Sequence, residues 1–197
     1  MAIDELLLAD LKTPWLRWYG WDQPTISIGY FGTSPGSNER PVVRRWTGGG
    51  LVEHGGDRDY TFSLGIPAVS GEPMRRPAES YQRIHVALLS VLGRLGIDAE
   101  LVPLPPAGST SADGGCFVSP VEADIVSSST GEKLVGGAQR RSKSGMLHQG
   151  SIHGLDLPIE VAAMFAEALA DTAGGAPIPC DVIDRAAALA GERYPDL

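Results

Sequence analysis

VVRRWTGGGLVEH, residues Val42 to His54, is the stretch on which the reading of this chain turns. Val42 and Val43 close a short strand, and a strand-like pattern resumes at Leu51. Between them lie two arginines, Thr47 and three consecutive glycines. Glycine lets a backbone turn through positive φ and approach a ligand closely. Three in a row between strands suggest backbone N–H groups offered to something bound. Arg44 and Arg45 add fixed positive charge, which suits a carboxylate, phosphate or carbonyl oxygen. A glycine-rich hairpin with two surface arginines accounts for the same residues, and the stretch alone leaves both readings open.

The totals narrow the classes. A chain of 197 residues suffices for one substantial core, and its net charge of −8 argues against a general nucleic-acid or anionic-membrane binder. The cysteines, Cys116 and Cys180, lie far apart, and two thiols in a reducing compartment are expected. The opening MAIDELLLAD has acidic residues and no basic region, so it does not read as a signal peptide. No apolar run approaches the ~18 residues of a membrane span. A cytoplasmic protein follows as the expectation.

Outward from the glycine turn, the pattern alternates between strands and helices. Ile3, Leu6, Leu7 and Leu11 give a first helix an apolar face, with Asp4 and Glu5 at the positive end of its dipole. Leu16–Tyr19 and Thr25–Tyr30 read as two strands joined by a turn around Asp22 and Pro24, and Trp15, Trp18 and Trp21 read as packing residues. From Asp59, alternation places Tyr60, Phe62 and Leu64 on one strand face. Ala78 to Leu95 is helical, with Pro77 near its first turn and Gly96 as its stop. Ala99–Leu101 begins a strand, and Pro103 to Gly115 reads as a long loop of the kind that carries function. Ala123–Val126 and Lys133–Val135 form a hairpin, Met146–Ile152 a strand and Ile159–Leu169 a helix. Asp181 would cap a last helix running through Leu189. The fold class is α+β, with residues 1–197 as one domain.

Few residues in this frame have chemistry to offer. Cys116 follows a glycine-rich loop and is the nucleophile candidate, since thiolates form thioesters that amines reopen; a buried structural cysteine is the plain alternative. Cys180 reads as structural. Lys133, ahead of Gly136 and Gly137, could hold an acyl oxygen against glycine N–H groups; a solvated strand-end lysine is the plain and commoner alternative. His148 and His153 are spaced onto opposite strand faces, so no metal is expected. His54 and His148 read as hydrogen-bonding groups. Arg140, Arg141 and Lys143 form a basic run that is either a solvated face or a dock for an acidic partner. No P-loop, dinucleotide fingerprint or Ser-His-Asp arrangement is legible.

Five blocks in order resemble the lipoate–protein ligase and octanoyltransferase family, relatives of biotin–protein ligase: MAIDELLL, LRWYGWDQPTISIGYFG, RRWTGGGLVEH, KLVGGAQRR and LHQGSI. The resemblance implies a mixed, largely antiparallel sheet flanked by helices, the biotin/lipoate protein ligase catalytic-domain type, here without a C-terminal accessory domain. It implies an acyl site built from Arg45, Thr47, Gly48, Gly49, Gly50 and His54 of the turn, with Gly136, Gly137, Ala138, Gln139, His148 and Gly150 opposite. Lys133 would contact the reacting carbonyl. The segment CFVSP resembles the cysteine motif of one octanoyltransferase subgroup, which makes Cys116 the implied nucleophile. The order His148-Gln149-Gly150 departs from the family's more usual glutamine-histidine-glycine.

The implied reaction places an octanoyl or lipoyl group on a lysine of a carrier domain, with no covalently bound cofactor. In the octanoyltransferase branch the donor is octanoyl acyl carrier protein and the intermediate a Cys116 thioester. In the ligase branch free lipoate is activated with ATP and Mg as an acyl-adenylate. The implied partners are acyl carrier protein and lipoyl carrier domains, such as glycine cleavage H protein or 2-oxoacid dehydrogenase subunits, with no nucleic acid or membrane. A non-catalytic protein that binds acyl groups or carrier domains is the alternative from another class.

Overall fold

The computed structural model describes residues 1–36, 39–70, 76–103 and 121–193. Two long strands form its spine: β5 (Asp59–Pro67) and β9 (Gly145–His153) pair antiparallel along their whole length, from Asp59↔His153 to Pro67↔Gly145. Around them β1 (Trp15–Tyr19), β8 (Lys133–Ser142), β7 (Ile125–Ser127) and β6 (Ala99–Leu101) complete a six-stranded antiparallel sheet in the order β1-β5-β9-β8-β7-β6. A second sheet has β2 (Thr25–Ile28) between β3 (Val42–Arg44) and β4 (Val52–His54), parallel to the first and antiparallel to the second.

That second sheet corrects two local expectations. The strands flanking the glycine turn do not form a hairpin, because β2 lies between them. Nor do β1 and β2 pair with each other: the connection through Gly20 and Pro24 carries the chain from the large sheet to the small one. Pairing partners distant in sequence override the nearest-neighbour guess.

One face of the large sheet makes the core. Phe62, Leu64, Val135, Met146 and Ile152 meet Ile84, Leu88, Val91 and Leu92 of α2 (Pro77–Arg94) and Val161 and Phe165 of α3 (Val161–Leu169). The alternation predicted for β5 holds, with Thr61 and Ser63 turned to the opposite face. There α1 (Ala2–Asp10) packs on β5, β9 and α4 (Cys180–Arg193). Asp181 lies in the first turn of α4, one residue inside its start. Strand β8 runs seven residues past Val135, through glycines whose poor strand propensity hid it, because β9 pairs it along the way. Among the described residues no helix is long and apolar enough to cross a membrane.

Candidate active site

The glycine turn folds back on β2. A Cβ added to Gly29 would lie 1.9 Å from the Gly49 carbonyl oxygen, and Gly49 has a φ of 88° that other residues rarely adopt. The two arginines hold this contact. Arg44 Nη1 donates to the carbonyls of Gly32 at 2.6 Å and Tyr30 at 3.0 Å. Arg45 Nη2 donates to the Gly50 carbonyl at 2.6 Å, and its Nη1 to the Ser27 carbonyl at 2.9 Å and to Ser27 Oγ at 2.7 Å. Charge that the sequence seemed to offer a ligand is thus engaged with main-chain carbonyls, although Arg45 also reaches a cavity wall.

Thr47 ties the turn to the large sheet. Its buried hydroxyl donates to Gln149 Oε1 at 2.8 Å, and Gln149 Nε2 donates to Asp4 Oδ2 at 2.7 Å. Asp4 is fully buried and also accepts from Ser63 Oγ at 2.8 Å and from Arg17. In sequence Asp4 looked like a dipole partner of α1; its apolar neighbours in the helix were the signal that it faces inward.

Across the sheet, Lys133 Nζ pairs with Asp124 at 2.7 Å, both side chains being at least 95% buried. Asp124 Oδ1 accepts from the Tyr81 hydroxyl at 2.5 Å, and Asp124 Oδ2 accepts the Val121 N–H at 2.7 Å. The Gly137 N–H donates to the Tyr81 oxygen at 2.9 Å. Ala123, at a φ of 62°, holds the backbone just before Asp124 in the left-handed region. The lysine is therefore a fixed, buried cation rather than a solvated strand end. Neither Asp124 nor Tyr81 was singled out from sequence.

His148 and Gln139 stand behind this wall. Gln139 Nε2 donates to His148 Nδ1 at 3.3 Å, which leaves the ring hydrogen on Nε2, and the ring stacks on Phe62. Burial and the neighbouring His85 hold the His148 pKa well below its ordinary value. Burial likewise lowers His85 to about 4.

At the other edge, three strands assemble what the sequence concealed. Ser27 Oγ lies 2.7 Å from His54 Nε2, and His54 Nδ1 lies 3.3 Å from Asp59 Oδ2. This is a Ser-His-Asp chain, but Ser27 is fully buried and accepts from Arg45, so its hydroxyl faces no substrate. Trp21 stacks on the His54 ring at 4.2 Å.

Between these groups lies a cleft with about 390 Å³ of empty space, part of it open to solvent. Arg45 and His54 line it from the turn, Gly136, Gly137 and Ala138 from β8, and Gly150 from β9; Trp21, Thr61 and Gln149 are among the rest. Lys133 is not on the lining itself but lies across Gly136, which is. Thr47, Gly48, Gly49 and Gly50 stand behind Arg45 rather than on the lining, as Gln139 and His148 stand behind Gly137. Cys116 lies outside the described residues. The basic run is not one patch: Arg140 covers the Tyr30 and Trp46 rings, while Arg141 donates to Ser80 Oγ at 2.7 Å.

Residues 1–191 match the family of the lipoyl protein ligase A/B catalytic domain. A protein named octanoyltransferase LipM, from Kyrpidia tusciae, is 37% identical over 186 residues, which cover 84% of this chain and 64% of that protein. The chain thus spans less than two thirds of that relative's length. Among solved structures, protein Ta0514 from T. acidophilum, with bound lipoic acid, shares the fold at a TM-score of 0.74 and 20% identity, covering 97% of this chain and 88% of its own. A lipoate-protein ligase A bound with ATP does so at 0.72 and 19%, covering 95% and 87%.

Proposed function

Because this chain belongs to the lipoyl protein ligase A/B catalytic domain family, we propose that it transfers an octanoyl or lipoyl group to the ε-amino group of a lysine in a carrier domain. The observation that carries the reading is the position of Lys133, a buried cation braced by Asp124 and laid across Gly136, a residue that lines the cleft. An ammonium fixed there meets the oxygen of an acyl carbonyl whose tail lies between the glycine turn and β8. It stabilises the negative charge that grows on that oxygen as the carbonyl is attacked. The four glycine and alanine positions of the cleft leave room for a chain without side groups.

The name of the Kyrpidia tusciae relative favours the transferase route. The Cys116 thiolate attacks the octanoyl thioester of acyl carrier protein, and the carrier's thiolate leaves. The uncharged lysine amine of a lipoyl domain then attacks the new thioester, releasing Cys116 as the thiolate and the amine proton to solvent. Glycine cleavage H protein and 2-oxoacid dehydrogenase subunits carry such domains. The route belongs in the cytoplasm, where thiols stay reduced.

Intact-mass analysis after mixing with octanoyl acyl carrier protein tests the route. An octanoyl adduct that disappears in Cys116→Ser is expected. Full transfer by Cys116→Ala removes the thioester step. Acyl-adenylate formed from free octanoate, ATP and Mg moves the chain to the ligase branch, and no turnover with either donor leaves a binding protein.

A further inference from the structure

His54, Asp59 and His153 converge from β4, β5 and β9, each with one ligand-type atom within 4.8 Å of the other two. His54 Nδ1 stands 3.3 Å from Asp59 Oδ2, and His153 Nε2 stands 3.6 Å from Asp59 Oδ1. Two ligands on a tetrahedral zinc at ~2.0–2.1 Å each lie about 3.3 Å from one another. The two histidine–aspartate spacings are close to that value. The shorter spacing is within hydrogen-bond reach, but the 3.6 Å one is too long for a hydrogen bond, and Asp59 Oδ1 is buried without a hydrogen-bond partner on a side chain only 4% exposed.

The surroundings hold these groups in ligand form. Ser27 Oγ has two lone pairs, so it can accept from both Arg45 Nη1 and a protonated His54 Nε2. That tautomer turns the Nδ1 lone pair toward Asp59. The Gly55 N–H donates to Asp59 Oδ2 at 2.8 Å, and Trp21 fixes the plane of the His54 ring. Metal-binding histidines are oriented by such outer contacts. Lys133, whose charge bears on His153, is balanced by its pair with Asp124.

We propose that His54, Asp59 and His153 bind one divalent cation of the zinc class, with water in the fourth position. Two imidazoles and a carboxylate suit zinc better than magnesium or calcium, which take oxygen ligands. The ion would pin the end of β4, in the small sheet, to the paired ends of β5 and β9 in the large one. One of its ligands, His54, also lines the cleft.

The full chain, stripped with a chelator and titrated with Co²⁺, tests this. One equivalent should produce the visible d–d bands of a four-coordinate site without thiolate-to-cobalt charge transfer, and Zn²⁺ should bleach them. Asp59→Asn and His153→Ala should each weaken binding at least tenfold and abolish the rise in Tm that Zn²⁺ gives the parent. Circular dichroism of the metal-free variants should match the parent, so that lost binding is not lost folding; should both variants unfold, Zn²⁺ protection of His153 from diethyl pyrocarbonate in the parent decides. Absence of stoichiometric bands, bands unchanged in both variants, or charge-transfer bands from cysteine ligands would each overturn the site.

Discussion

The side chain of Lys133 occupies the space that a methyl group on Gly136 would need: a Cβ there would stand 2.4 Å from Lys133 Cε and 2.7 Å from Nζ. Glycine is thus what lets the ammonium lie flat on the cleft wall. In Gly136→Ala the flexible end of the lysine must move, so we predict a loss of acyl transfer of roughly 10- to 1000-fold, as when a positioned oxyanion donor is lost. Where the displaced Nζ keeps its pair with Asp124, stability should change little. Gly150→Ala is the contrast, since its Cβ would meet the Phe62 ring at 2.3 Å in the packed core and destabilise by about 1–3 kcal/mol. Transfer at the parent rate by Gly136→Ala would falsify the role given to Lys133.

Asp124 makes the second prediction. Asp124→Asn deprives a lysine that is 5% exposed of its carboxylate, and breaking a buried pair from one side costs about 3–5 kcal/mol. Tyr81→Phe removes the hydroxyl that joins Asp124 to the Gly137 N–H, at a cost of about 1–3 kcal/mol. Urea denaturation should rank the parent above Tyr81→Phe and Tyr81→Phe above Asp124→Asn. Equal midpoints for the parent and Asp124→Asn are incompatible with a buried ion pair.

The same residues show what a sequence displays and what it conceals. Periodicity revealed α2 and the inward face of β5, because burial there repeats every few residues along one segment. The placement of β2 between β3 and β4 was hidden, since partner choice depends on segments far away. The site divides in the same way. Arg45, His54, Gly136, Gly137 and Gly150 were legible because they fall within ordered blocks of like sequence. Tyr81, Asp124 and Gln149 were not: each is a polar group held by a partner 43 or more residues distant, and no local pattern marks it.

The histidine pair under Tyr81 predicts an acid limit to stability. His85 titrates near 6.5 when unfolded and about 4 when folded, both values set by its exposure or burial, and His148 is lowered as well. Their contribution is fully present above pH 6.5. Between 6.5 and 4 the unfolded chain protonates His85 while the folded chain refuses it, so stability falls with pH by up to about 1.4 kcal/mol per unit, and His148 adds in the same direction. Replacing His85 with Gln should flatten that slope in denaturation measured from pH 7 to pH 4.5. An unchanged slope would mean that the acid loss comes from other groups.

Thr47 is where the glycine turn is fastened to the large sheet, and a pair of substitutions separates its hydroxyl from its methyl. Thr47→Val keeps the shape but removes the donor, leaving Gln149 Oε1 buried and without the 2.8 Å hydrogen bond, at a cost of about 1–3 kcal/mol. Thr47→Ser keeps the donor and loses one methyl, about 0.8 kcal/mol. Gln149 lines the cleft and also donates to Asp4 on α1, so freeing its amide should disturb both the cleft and the packing of α1 on the sheet. The valine variant is therefore expected to be the less stable and to show a raised KM for the acyl donor, with the serine variant near the parent in both. If the two variants prove equally stable and bind donor alike, the hydroxyl is not what holds the turn against the large sheet, and the fastening must come from Arg140 on β8, which donates to the Trp46 carbonyl at 3.0 Å.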